Sequence, residues 1–181
     1  MSHKWIYDKV NLLIKEHQTR DPKLLAEELD VKIKYLGDTK SLLGMYKVIL
    51  KTPYIFIPAN LGPIQKTVLA HELGHDQLHR EYCLDGGQFY ESKIFNPTNI
   101  FEIEANIFAA HLLIADEDLL KHIKTCNNYT DLASELAVDT NLLNIKIAEM
   151  LKLGILDQAD LKLNIPDARF LKEYKPQDEN W

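Results

Sequence analysis

Ala70-His71-Glu72-Leu73-Gly74-His75 is the stretch that decides how this chain is read. Two imidazoles four residues apart, with a carboxylate beside the first, form the arrangement by which a helix holds zinc and activates water. A helix rises about 1.5 Å per residue, so side chains at i and i+4 stand one above the other on one face. Two ring nitrogens can then approach one ion from a rigid backbone. Glu72, rotated off that face, is left to reach the water. His and Glu also occur on ordinary helices, where buried histidines only hydrogen-bond, so the surrounding sequence has to separate the two readings.

Leu61-Gly62-Pro63 marks a helix start, with Pro63 in the first turn where its missing N–H does no harm. Ile64, Val68, His71, His75, Leu78 and Tyr82 then recur at three- and four-residue steps. That stripe turns both histidines toward a core, and Gln65, Lys66, Asp76 and Gln77 elsewhere. Gly74 costs a helix about 1 kcal/mol relative to alanine. Its presence implies that another backbone, or a substrate, passes close by.

Upstream, Trp5 to Glu16 reads as a helix with Ile6, Val10, Leu13 and Ile14 on one stripe. Asp21 and Pro22 open a second helix that runs through Leu29, as cap and first residue. Val31, Ile33 and Tyr35 alternate with Lys32 and Lys34 as in a half-buried strand. Leu42 to Leu50 and Tyr54 to Ile57 are further strands, with Pro53 marking a boundary or an edge. The fold class is therefore α+β: a small sheet packed with a zincin-like helix that carries the two histidines, followed by a C-terminal helical appendage.

With 181 residues, 46% apolar and 27% charged, the chain can bury a core and reads as one domain with an appendage. The net charge of −6 offers no nucleic-acid or anionic-membrane surface. Lys4, Asp8 and Lys9 interrupt any secretory signal, and no apolar run reaches membrane-spanning length. Cys83 and Cys126 are too few for a disulfide framework, so two free thiols in a reducing, cytoplasmic setting are expected.

Two histidines leave zinc short of a third protein ligand and an open position for water. His79 continues the four-residue spacing. In an unbroken helix, however, it lies about 12 Å along the axis from His71, too far to share an ion, and no glycine or proline between His75 and His79 would break the helix. His79 is read instead as a group behind the ligands, a substrate contact or a surface histidine. Ile100 to Ile114 is a helix apolar nearly all round, hence buried, with Glu102, Glu104, Asn106 and His111 as exceptions. A carboxylate in such a helix is costly unless paired or metal-bound. Glu104 is the preferred ligand and Glu102 the spare, although spacing alone does not separate the two, since Glu102 and Asn106 also share a face.

Ala70 to His75, then Leu78-His79, Glu104-Ala105-Asn106, Phe108-Ala109-Ala110 and Leu112-Leu113 together resemble the ImmA/IrrE metallopeptidases over about residues 10 to 155. The resemblance implies zinc held by His71, His75 and Glu104, and Glu72 as general base. It also implies a protein substrate, a helix-turn-helix repressor encoded nearby, whose cleavage switches on a phage, a mobile element or a stress response. Ile114-Ala115 stands where the family often has Met-Pro, a departure at a helix exit and not at a ligand. Imidazole and carboxylate also accept manganese or another divalent ion. The alternative function is a non-catalytic protein-binding regulator, toxin/antitoxin-like or an anti-repressor module, that retains a metal site.

His111, His79 and Tyr90 are the options for a further donor to a tetrahedral oxyanion or for substrate contact. Substrate is expected as an added strand on a sheet edge, with Tyr54 to Ile57 the nearest strand in sequence. Residues 83 to 99 read as a long connection, a lid or a linker. From Thr130 onward, Leu132, Ala133, Leu136, Ala137 and Val138, then Leu142, Leu143 and Ile147, resemble a helix-turn-helix core with Asp139 or Thr140 as cap. Six Lys and Arg against ten Asp and Glu in that part argue against DNA and for packing or substrate docking. The expected organisation is a peptidase domain over 1–125, a helical extension over 126–165 and a polar tail over 166–181 that ends in Trp181.

Overall fold

A computed structural model describes residues 3–37, 39, 42–91, 99–158 and 161. The first helix, α1 (Lys4–His17), buries Ile6, Val10 and Leu13 on the expected stripe. Asp21 caps α2 (Pro22–Glu28), its carboxylate accepting from the backbone N–H groups of Lys23 and Leu24, with Pro22 in the first turn.

The sheet comprises β1 (Lys32–Leu36), β2 (Gly44–Ile49), β3 (Thr52–Pro58) and β4 (Phe89–Glu91), in the spatial order β1-β3-β2-β4. β3 runs parallel to β1, with Ile55 beside Ile33, and antiparallel to β2, with Ile55 beside Tyr46. β2 is in turn antiparallel to β4, with Tyr46 beside Phe89. This corrects the expectation for Tyr54 to Ile57. That strand lies in the middle of the sheet with both flanks paired, so β1 and β4 are the edges among the described strands. Pro53 is accommodated near the start of the central strand, opposite Val48. Ile55, Ile57 and Tyr46 are fully buried against the helices, while Tyr54 and Phe56 stack on the other face with ring centroids 5.8 Å apart.

After a 3₁₀ turn at Gly62–Ile64 that contains Pro63, α3 (Gln65–Leu84) packs on β2 and β3. Against it lies α4 (Ile100–Leu113), capped by the Asn99 side chain, which accepts from the Glu102 N–H. The closest approach is at Gly74, where an added Cβ would stand 3.1 Å from both the Cα and the carbonyl oxygen of Ala105. The expected neighbouring backbone is therefore α4. The stretch read as one connection between the ligand helices contains β4, and residues 92–98 lie outside the described residues.

The chain continues through α5 (Asp116–His122), α6 (Tyr129–Glu135) and α7 (Thr140–Lys152), the last capped by Asp139 as expected. α7 buries Leu142, Leu143, Asn144, Ile145, Lys146, Ile147, Glu149 and Met150, and packs on α4. A recognition helix presents its polar face to a groove. In α7, Asn144 and Lys146 are inside the protein, while Asn141 at its start is exposed. The expected tail over 166–181, Trp181 included, lies outside the described residues. No helix among the described residues is long and apolar enough to cross a membrane.

Candidate metal centre

His71 and His75 sit one turn apart on α3, both essentially inaccessible to solvent. Their Nε2 atoms face each other at 3.1 Å. The Glu102 carboxylate closes the triangle, with Oε2 3.2 Å from His71 Nε2 and Oε1 3.5 Å from His75 Nε2. These three residues offer donor atoms all within 4.8 Å of one another, the only such group of three among the described residues. Two imidazole nitrogens and one carboxylate oxygen aimed at a common point form a donor set that could hold a divalent metal ion.

The third residue differs from the expectation. Glu102, not Glu104, meets the imidazoles. The reason is helical phase. His71 Nδ1 bonds the Asn106 side-chain oxygen at 3.0 Å, which sets the register of α4 against α3. Glu102 lies one turn before Asn106 on that face. Glu104 lies on the other flank of Ala105, where its Oε2 accepts from His79 Nε2 at 2.9 Å. His79 is also not on a straight helix: φ −129° and ψ 16° interrupt α3 there without any glycine or proline. Its ring is buried between Phe89 and Phe101, with Nδ1 3.1 Å from His75 Nδ1.

Burial holds the His75 imidazole neutral, pushed down to about 3, with the neighbouring His71 and His79 acting in the same direction and Glu102 opposing. Burial raises the Glu102 carboxyl, but the His71 and His75 rings beside it outweigh burial and leave the group well below the usual carboxylate range. A neutral imidazole and an ionised carboxylate are the forms that bind metal.

Glu72 is buried beside the pair. The backbone of β2 passes so close at Gly44 that a Cβ there would overlap Glu72 Oε1 and stand 2.8 Å from Val68 Cγ1. Two residues along β2, Tyr46 donates to Asp76 Oδ1 at 2.8 Å, and Arg80 donates to both carboxylate oxygens of Asp76 at 3.1 and 2.6 Å. Asp76, expected to point away from the core, thus fastens the strand to the metal helix from a buried position. Gly44, Tyr46 and Asp76 escape sequence reasoning because their partners are distant in the chain. Phe89, whose ring stacks on His75 at 4.0 Å and 7°, escapes it because a three-residue strand has too short a pattern to register.

The remaining expected contacts lie elsewhere. His111 is nine residues beyond Glu102, about 13 Å along α4. Its Nδ1 faces Lys146 Nζ at 3.1 Å and its ring meets Tyr7 edge-on. It belongs to a buried cluster with Asp116, which accepts from Lys146 at 2.5 Å and from Tyr7 at 2.7 Å. Tyr90 is exposed, and strand alternation turns it to the opposite face from Phe89.

A family profile described as the IrrE N-terminal-like domain of the M78 peptidases matches residues 26–148, more than half of the chain. The chain belongs to the M78 peptidase family. The match spans the whole sheet, α3 and α4 and ends within α7 at residue 148, so most of that buried helix lies within the matched region. This M78 chain is also 31% identical over 144 residues to a Bacillus phage phi105 protein named "Uncharacterized immunity region protein 2", covering 79% of the present chain and 89% of that one.

Proposed function

We propose that this M78 peptidase is a zinc-dependent endopeptidase that cleaves a helix-turn-helix transcriptional repressor, relieving repression of a phage, mobile element or stress genes. The observation that carries the reading is the convergence of His71 Nε2, His75 Nε2 and the Glu102 carboxylate beside a buried Glu72. The repressor as substrate is supported by the phage immunity-region relative. A purely structural metal site has no use for a general base next to its ligands.

His71, His75 and Glu102 would hold the ion, with zinc favoured by the imidazole-rich donor set and manganese compatible with it. Bound there, the metal supplies a Lewis acid that makes water nucleophilic near neutral pH and polarises a peptide carbonyl. Glu72 takes the proton of the attacking water and returns it to the leaving amine. Gly44 leaves the space in which that carboxylate sits. β4, the edge strand whose Phe89 covers His75, is where an extended substrate segment would add to the sheet.

The test is to incubate the zinc-loaded protein with the repressor encoded beside it. A discrete cut is expected from wild type and none from Glu72→Gln, which should still hold zinc. Cleavage that survives Glu72→Gln overturns the mechanism. An equimolar complex without cleavage would instead establish the non-catalytic regulator.

A further inference from the structure

His75 Nδ1, His79 Nδ1, His79 Nε2 and Glu104 Oε2 form a continuous line of contacts at 3.1 and 2.9 Å that leads away from the metal centre. We propose that His79 and Glu104 are positioning residues that fix the tautomer and aim of His75, so that metal affinity depends on two side chains that do not touch the metal; the inference rests on the metal-site reading above.

The proton arrangement follows from donor counting. An ionised Glu104 carboxylate only accepts, so His79 carries its hydrogen on Nε2. With His79 neutral, its Nδ1 is bare and can only accept, which places the hydrogen between the two rings on His75 Nδ1. That leaves the His75 Nε2 lone pair directed at His71 Nε2 and Glu102, where an ion would bind. On the other ligand, His71 Nδ1 donates to the Asn106 side-chain oxygen and leaves its own Nε2 bare. Both ligands thus present the same nitrogen, one through an amide and the other through an imidazole that ends on a carboxylate. Groups behind a ligating histidine hold its tautomer and raise its basicity. The interruption of α3 at His79 and the walls provided by Phe89 and Phe101 fix the relay ring in place.

The experiment measures zinc affinity by competition with a chelator, together with the histidine tautomers by long-range ¹H–¹⁵N NMR of the zinc-loaded protein. His79→Phe retains an aromatic ring between Phe89 and Phe101 but breaks the relay, and is expected to weaken zinc binding about ten- to a hundredfold. His79→Asn, which offers His75 an acceptor but cannot reach Glu104, should recover part of that loss. Glu104→Gln should weaken binding in the wild-type background and change nothing once His79 is Phe. Wild-type zinc affinity in His79→Phe, or a His75 ring with hydrogen on Nε2 in the loaded protein, overturns the relay while leaving the metal site standing. Equal losses from Glu104→Gln with and without His79 would make Glu104 a ligand in its own right and also overturn it. A wild-type protein that takes up no zinc overturns the metal-site reading and the relay together.

Discussion

Glu72 lies against the bare backbone of Gly44, and that single missing methyl decides where its carboxylate can sit. Tyr46 anchors β2 to Asp76 two residues further on, so the strand is held while the carboxylate is the part able to yield. Gly44→Ala is therefore expected to leave zinc content unchanged, because the atoms nearest an added Cβ there belong to Glu72 and Val68 and not to His71, His75 or Glu102. Turnover should fall by about a hundredfold, the scale for displacing a catalytic group by roughly 1 Å. Single-turnover cleavage beside a zinc assay checks this; unimpaired cleavage would show that Glu72 does not need the space. The two imidazoles and Glu72 were legible in the sequence because i,i+4 geometry is local. Gly44 was not, since one glycine in a strand has many meanings until Glu72, 28 residues later, is laid over it. Glu102 and Glu104 fall between these cases. Both were visible as acids in an apolar helix, but choosing between them needs the phase of α4 against α3, which the His71–Asn106 contact sets.

Gly74 sets how closely α3 and α4 approach, and hence how the imidazoles on one helix meet the carboxylate on the other. Alanine there would improve helix propensity by about 1 kcal/mol. Its Cβ, however, meets the Ala105 backbone at 3.1 Å and the Phe108 Cβ at 3.2 Å, neither of which can rotate away. Overpacking of this kind costs about 1–3 kcal/mol, so the steric cost is expected to prevail. Gly74→Ala should lower the melting temperature and weaken zinc binding together, since moving α4 outward carries Glu102 with it. A neutral or stabilising substitution with unchanged affinity would show that the helix spacing is not set there. The close neighbour could be inferred from one glycine inside a periodic stripe. The order of strands could not, because β1 reaches the sheet parallel to β3 and β2 is inserted beside it; such pairings leave no trace in local alternation. The same limit left the sheet edge for a substrate strand unnamed, with Tyr54 to Ile57 only the nearest strand in sequence.

The C-terminal helices are built into the body of the molecule through a buried polar cluster. Lys146 of α7 bonds Asp116 of α5, and Tyr7 of α1 reaches the same carboxylate, with His111 of α4 beside them. A helix-turn-helix pattern and a core helix share the same apolar spacing, so it was the acidic balance from Thr130 onward, not the pattern, that argued against a helix offering Lys146 to DNA. Burial, reinforced by the nearby Lys146 charge, pushes His111 down to about 3 from an ordinary 6.5. The charged groups around it are Lys146, Asp116, Arg20 and Glu149, of which Asp116 and Glu149 oppose the shift. In the unfolded chain His111 takes up a proton as pH falls below about 6.5, whereas the folded protein resists until about 3. Folding stability from this group is thus fully present above 6.5 and is lost progressively as pH falls through that window. Glu149 adds a second loss at lower pH. Its carboxyl is held down to about 2, against burial, by hydrogen bonds from His3 and Lys152, so its contribution disappears between 4.5 and about 2. Melting temperatures of the metal-free protein between pH 7 and 4 should therefore fall with acidification. The fall should be shallower in His111→Gln than in wild type, with the two curves converging toward the acid end. Parallel curves would show that His111 is not the group that makes the clasp acid-sensitive.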